Sequence, residues 1–129
     1  MKHRAVKTDL PSLGLPFSWG VWYGNLLFVA GQGPIGQDGK VKEGDIAFQT
    51  KATMENFRKV VEAAGSRLDC VLSTTVYLKD LSDFDGMNRV YAEYFRKEPR
   101  PARATVRADL LFGMRIEIQG IGYVPPRGK

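Results

Sequence analysis

Hydrophobic and polar residues follow two periodic patterns along this chain, and together the patterns predict its secondary structure. Alternation with a period of two is typical of strands, and recurrence every three or four residues is typical of amphipathic helices. The predicted order is strand, strand, helix, strand, helix, strand and strand, at residues 18–23, 26–30, 45–64, 71–78, from 82 or 83 to before 99, 101–106 and 115–120. The turn residues Gly24 and Asn25 join the first two strands into a β-hairpin.

The first predicted helix carries its own start and stop signals. Asp45 can cap the first turn, because an aspartate side chain accepts a hydrogen bond from a free backbone N–H. Apolar residues recur at helical spacing from Ile46 to Ala64, with Thr50 filling one gap, and Gly65 follows as a stop. This segment is therefore predicted to be a long amphipathic helix.

The order of elements predicts a single α+β domain over residues 1–129, with two helices packed on one face of a mixed β-sheet. A chain of this length suits one hydrophobic core. The other face of the sheet would remain open in a monomer, so the pattern also predicts an oligomer.

Composition narrows the kind of protein and the kind of chemistry. Hydrophobic residues make up 43% and charged residues 26%, as in ordinary globular proteins, and the basic start is followed by no apolar run that would predict a signal peptide or membrane span. One cysteine, Cys70, and one histidine, His3, predict a cytoplasmic protein without a zinc cluster or a Ser-His-Asp triad. The net charge of +5 is spread among acidic residues, which favours a solvated surface over nucleic-acid binding.

The last two predicted strands carry candidate chemistry. Arg103 alternates with alanines on the first, and Glu117 alternates with Ile116 and Ile118 on the second. A guanidinium matches a carboxylate with two parallel hydrogen bonds, and a glutamate could hold a water or pass a proton. Together they suggest a site for a small carboxylate, and the alternative is a surface ion pair of about 0 to 1 kcal/mol.

Two further polar or flexible positions interrupt apolar patterns. Asn88 falls within the predicted inward stripe of the second helix, where it would either bond the backbone or orient a ligand. Gly31 and Gly33 allow a ligand close to the backbone, but they lack the third glycine of a dinucleotide fingerprint, so a plain turn is the alternative.

An ordered set of short motifs resembles the RidA (YjgF-type) family, formerly called endoribonuclease L-PSP or translation inhibitor proteins. The motifs cover nearly the whole chain, at residues 15–21, 30–35, 60–65, 74–81, 88 with 91, 101–103 and 116–118. The resemblance implies a chorismate-mutase-like fold and a homotrimer, with the helices outside and the sheets forming a central barrel. It also implies clefts between adjacent subunits that bind small 2-imino or 2-keto carboxylic acids without a cofactor.

Residue by residue, the resemblance implies that Arg103 grips the substrate carboxylate and that Glu117 positions the attacking water. Asn88 and the backbone at Gly31 match further cleft positions. The implied reaction is hydrolysis of 2-imino acids, or their enamine tautomers, to 2-keto acids and ammonia, as in 2-iminobutanoate/2-iminopropanoate deaminases.

Several positions depart from the family pattern. Phe17 and Thr105, both in the implied cleft, replace a common tyrosine and a common cysteine, and Gln119 replaces a second glutamate. The loop at residues 109–114 is bulkier and more apolar than is typical, which suggests a larger or aromatic substrate. The loss of the Phe17 hydroxyl leaves open a trimer that binds or senses a carboxylate without turnover. The older family name leaves open, with less support, an RNA-acting protein.

Overall fold

The computed structural model describes residues 2–127, and it shows a mixed sheet of six strands with two α-helices. The strands are β1 (Arg4–Ala5), β2 (Gly20–Tyr23), β3 (Leu26–Gln32), β4 (Val71–Leu78), β5 (Ala102–Arg107) and β6 (Ile116–Tyr123), and the helices are α1 (Ile46–Ala63) and α2 (Phe84–Tyr94). The strand order across the sheet is β1-β2-β3-β6-β4-β5. Within residues 2–127, only β4 and β5 pair in parallel, and α2 connects them.

Both helices cover the same face of the sheet. Gly120 of β6 and Thr74 of β4 are register partners, so their side-chain positions point to one face. Phe57 of α1 packs against Gly120, where an added Cβ atom would come within 2.8 Å of its ring. Tyr91 of α2 hydrogen-bonds to the Thr74 hydroxyl at 2.7 Å. We call this the helix-covered face and the opposite one the open face.

The hydrophobic core fills the space between the helices and the helix-covered face. Its fully buried side chains come from every layer: Leu27, Met54, Phe57, Val60, Val61, Val76, Leu78, Met87, Ile116 and Ile118. Alternate positions of β6 show that the two faces of the sheet differ in burial, because Ile116 and Ile118 are buried whereas Gln119 is exposed.

The open face keeps apolar side chains in contact with solvent. Phe28 of β3, Val106 of β5 and Ile121 of β6 are between 39% and 43% exposed. In the strand register Val21 pairs with Phe28 and Tyr77 pairs with Val106, so the side chains of Val21 and Tyr77 face the same side. A face of this composition is suited to burial against another chain.

Most of the predicted elements are confirmed, with differences at their ends. Asp45 caps α1 by accepting a hydrogen bond from the Phe48 backbone N–H at 2.9 Å, and Gly65 ends the helix with a φ of +85°. The predicted end of the second strand at Ala30 is wrong, because β3 continues through a bulge to Gln32. Strand β1 was not predicted, since two residues are too few to show a period. No helix among residues 2–127 is long and apolar enough to cross a membrane.

Candidate functional site

A cavity of about 310 Å³ opens beside the bulged end of β3. Its walls come from the segment before β2, from β3 and its following loop, and from the turn before β6. The lining residues are Leu13, Leu15, Phe17, Trp19, Ala30, Gly31, Gly33, Ile35, Leu111, Phe112, Met114 and Glu117. Among these residues, Glu117 supplies the ionisable side chain, so a carboxylate stands in an otherwise apolar pocket.

The bulge in β3 explains how Glu117 reaches this position. Val29 pairs with Gly120 and Gln32 pairs with Ile118, so three steps along β3 match two steps along β6. The extra residue re-aims the strand, and bulges of this kind are common beside functional sites. Gly31 lies within the bulge, directly against the Glu117 side chain.

Gly31 of β3 and Gly33 of the loop after it make room for neighbouring side chains. A Cβ atom on Gly31 would collide with the Glu117 carboxylate, and one on Gly33 would collide with the sulfur of Met114. Gly31 therefore lets the carboxylate lie over the backbone. Neither a phosphate-binding loop nor a plain turn describes this arrangement, because Gly31 belongs to β3.

Asn56 of α1 fixes the same loop from behind. Its buried amide donates hydrogen bonds to the carbonyl oxygens of Gly33 and Ile35, both at 2.9 Å. The helix thus holds the backbone that forms one wall of the cavity. This role of Asn56 could not be predicted from the sequence, because helical spacing shows that a residue faces inward but not which loop it meets.

The environment of Glu117 changes its acidity. The side chain is half-buried, and burial raises the pKa of the Glu117 carboxyl above its ordinary value by disfavouring the charged form. Among the described residues of one subunit, no cation opposes this effect as a cause of the shift. A carboxyl with a raised pKa is better matched to proton transfer near neutral pH.

Arg103 lies elsewhere, on the helix-covered face at the outer strand β5. Its guanidinium carbon is 4.8 Å from the centre of the Tyr91 ring and 5.8 Å from that of Phe84. Cations are attracted to aromatic faces at such distances. These contacts hold the guanidinium over α2 at the rim of the sheet, on an aromatic platform formed by Phe84 and Tyr91.

The remaining candidates accompany Arg103. Asn88 is half-buried and lies between Phe84 and Tyr91 on the same side of α2 by helical spacing. Thr105 is two residues beyond Arg103 on β5 and so points to the same face. The prediction that Asn88 belongs to the inward stripe is confirmed only in part, since Phe84 of that stripe is exposed.

Within one chain, therefore, Arg103 and Glu117 do not form a joint site. Arg103 pairs with Thr74 and Glu117 pairs with Tyr77, and positions three apart on β4 point to opposite faces. Phe17, Gly31 and Glu117 line the cavity, whereas Asn88, Arg103 and Thr105 lie on the α2 side. The suggestion from the two strand patterns that Arg103 and Glu117 together form a site is therefore not met within a single chain.

Among residues 2–127, no three His, Cys, Asp or Glu side chains are grouped as ligands of a metal ion would be. The polar groups that the two surfaces offer are carboxylate, guanidinium, amide, hydroxyl and backbone.

Comparison with known proteins identifies the family. The family model described as endoribonuclease L-PSP matches residues 9–124. The chain belongs to this family, which includes the RidA (YjgF-type) and RutC proteins.

Similar proteins cover nearly all of the chain. A RutC family protein of Pyrococcus horikoshii is 47% identical over 125 residues, 95% of this chain and 98% of that protein. The 2-iminobutanoate/2-iminopropanoate deaminase of Escherichia coli is 35% identical over 124 residues, 94% of this chain and 97% of that one. The crystal structure of RidA from an Antarctic Psychrobacter matches with a TM-score of 0.87 at 34% identity, over 94% of this chain and 99% of that chain. The RidA-type α+β fold that the motifs implied is thus confirmed.

The platform under Arg103 can be tested through its buried hydrogen bond. Tyr91→Phe keeps the ring but leaves the Thr74 hydroxyl without its partner, so the free energy of unfolding should fall by about 1 to 3 kcal/mol. Thr74→Val should cost a similar amount, and the double variant should cost less than the sum of the two. Urea unfolding at one protein concentration would measure this double-mutant cycle, and strict additivity would contradict the pairing.

Proposed function

We propose that this RidA-family chain is a hydrolytic deaminase that converts 2-imino acids, or their enamine tautomers, into 2-keto acids and ammonia. It would work as a homotrimer whose clefts lie between adjacent subunits, without a cofactor. The observation that carries the proposal is the separation of Arg103 from Glu117 within one chain. A cleft needs both groups, and a neighbouring subunit can bring one to the other.

The two surfaces complement each other. The cavity offers a carboxylate with a raised pKa and an apolar wall, but among its lining residues no cation to bind a substrate carboxylate. Strand β5 offers Arg103 at the outer end of the sheet order, on an aromatic platform. If β5 of one subunit meets the cavity of the next, the cleft gains an anchor for the acid and a group for proton transfer.

The open face gives an independent reason for assembly. Phe28, Val106 and Ile121 expose apolar surface that a central barrel of three sheets would bury. Each buried apolar Å² contributes about 25 cal/mol, so a shared barrel can supply the free energy of association. We also propose a cytoplasmic location for the protein, as the sequence predicts.

The proposed reaction asks little of the protein. The carbon of a protonated imine is already electrophilic, so Arg103 fixes the acid while Glu117 orients a water molecule and accepts one of its protons. The water oxygen bonds to carbon to give a carbinolamine. The Glu117 carboxyl then returns that proton to nitrogen. As the carbon–nitrogen bond breaks and ammonia leaves, the carbinolamine hydroxyl gives its proton to the Glu117 carboxylate, which leaves the keto acid. The departing ammonia takes up this last proton as ammonium, so the charge that the protonated imine brought is carried away.

A subunit-mixing experiment tests both the reaction and the shared cleft. Arg103→Ala and Glu117→Gln subunits, each with its own tag, would be made separately and also co-expressed, and imine hydrolysis would be measured for all three preparations. Each pure variant should lose tenfold or more of kcat/KM, since a charge-assisted bond or a proton-transfer group is missing. Purified mixed assemblies should recover activity, because about one cleft in three of a mixed ring receives both intact residues.

The outcomes separate the alternatives. Mixed assemblies as inactive as the pure variants would contradict a cleft built from two subunits. Saturable keto-acid binding by the wild type, without acceleration of any imine, would favour a carboxylate-binding trimer instead. A variant in which Asp38, a carboxylate in an exposed turn, becomes Asn serves as the matched control for Glu117→Gln.

The raised pKa of Glu117 also predicts a pH-dependent stability. A carboxyl whose pKa is higher in the folded state destabilises that state above the folded-state pKa, and the penalty disappears below the unfolded value of about 4.3. Replacing it should therefore stabilise the protein at neutral pH and change nothing in acid. The comparison is made in an Arg103→Ala background, because a guanidinium supplied by a neighbour would lower the pKa and oppose the effect of burial.

Urea midpoints of Arg103→Ala and of Arg103→Ala/Glu117→Gln, measured at one concentration from about pH 4 to about pH 8, check this sign. The double variant should be the more stable at the upper end, with the difference shrinking toward the lower end. A carboxylate that stabilises the protein at neutral pH would show that burial does not dominate its environment.

A further inference from the structure

We propose that the substrate of this site is a 2-imino acid with a large apolar or aromatic side chain, and that Leu111 and Phe112 determine this preference. The inference rests on the proposed deaminase function and specifies its substrate class. It follows from the walls of the cavity, from the backbone of the turn before β6, and from a second depression beside it.

The cavity is lined for an apolar group. Apart from Glu117, its described lining consists of aliphatic or aromatic side chains and of glycines. The one other polar side-chain atom, the indole nitrogen of Trp19, donates to the Pro11 carbonyl oxygen at 3.2 Å. A short substrate side chain such as methyl would gain little from these walls, because it would leave the apolar surface wet or the cavity partly empty.

The turn before β6 presents apolar groups outward. Leu111 is 66% and Phe112 59% exposed, although both line the cavity. Two large apolar side chains in water at adjacent positions stabilise no part of the hydrophobic core. Their placement is accounted for if they close over an apolar ligand.

The backbone of Phe112 supports this role. Its φ is +61°, in the left-handed region that non-glycine residues rarely adopt, and Gly113 follows at +76°. A bulky residue held there costs stability, and such conformations cluster where ligands are clamped. Glycine would fit the backbone better, so the ring itself is the reason to have phenylalanine at this position.

A second depression of about 580 Å³ extends the available space. It shares Leu13, Leu15 and Phe112 with the cavity and continues toward Lys40 and Val41. Phe112 thus stands between the apolar cavity and a second space that is apolar near Leu13, Leu15 and Val41 and carries Lys40 and Glu43 on its far side. A substrate side chain that is longer than the cavity can follow the ring into the second space.

The test compares imines that differ only in their side chains. A D-amino-acid oxidase would generate the imines of alanine, methionine, leucine and phenylalanine, since the imine carbon is planar and keeps no memory of handedness. Semicarbazide would trap the imine that escapes hydrolysis. We expect kcat/KM for the leucine, methionine and phenylalanine imines to exceed that for the alanine imine by about tenfold or more, because each added methylene in an apolar pocket contributes up to that order.

The variants assign the preference to the turn. Leu111→Ser with Phe112→Gly removes both apolar side chains, and glycine suits the positive φ at residue 112, so the fold should be retained. In this double variant kcat/KM for the leucine, methionine and phenylalanine imines should fall toward that for the alanine imine, so that the preference is lost. Phe48→Ser serves as the matched control, because Phe48 is an aromatic of similar exposure, 48%, on α1 and outside the cavity lining.

Each other outcome contradicts the substrate preference, the role of Leu111 and Phe112, or the deaminase function. Acceleration of the alanine imine at least equal to that of the larger imines would overturn the inference and leave the deaminase function standing. No acceleration of any imine would overturn both. A double variant that keeps the preference, or that loses its assembled mass by light scattering, would remove Leu111 and Phe112 from the specificity role, the second case making them subunit contacts.

Discussion

The fold depends on the packing of two helices against only one face of a six-stranded sheet. The alternation of side chains along each strand converts this packing into two different surfaces. Positions such as Ile116 and Ile118 become core, and the position between them, Glu117, faces the side that the helices do not cover. Strand register therefore sorts the candidate site residues onto one face of the sheet or the other. That sorting is why Glu117 stands in a cavity on one face and Arg103 over aromatic rings on the other.

The bulge in β3 makes room for a cavity beside Glu117 on the open face. A regular β3 would alternate side chains past Glu117, and any side chain at residue 31 would occupy the place of the carboxylate. The bulge and the glycine together remove that obstacle. Asn56 then holds the following loop by two hydrogen bonds, so the wall of the cavity is fixed from the helix layer. The carboxylate is half-buried as a result, and the same burial that raises its pKa suits it to moving a proton.

The parts that the sequence could predict are those governed by local rules. The cap at Asp45, the stop at Gly65, the strand at residues 71–78 and the alternation of β6 depend on neighbours in the chain, and these predictions are confirmed. The short motifs also identified the family. The register between strands is not local, and the opposite facing of Arg103 and Glu117 could not be read from two separate alternations. The bulge at Gly31 and the contact of Asn56 with residues 33 and 35 were missed for the same reason.

The surroundings of Arg103 would prepare its guanidinium for the role proposed for it in a cleft between subunits. A free arginine samples many rotamers, and ordering it upon binding costs conformational entropy. The rings of Tyr91 and Phe84 limit that freedom in advance, and the Thr74 hydroxyl fixes the Tyr91 ring through a 2.7 Å hydrogen bond. Because the ring faces are only weakly attractive compared with a carboxylate, the guanidinium keeps its planar fork available for a stronger partner. A cation held in this way at the outer strand fits the proposed recognition of an acid between subunits better than it fits a structural ion pair within the chain.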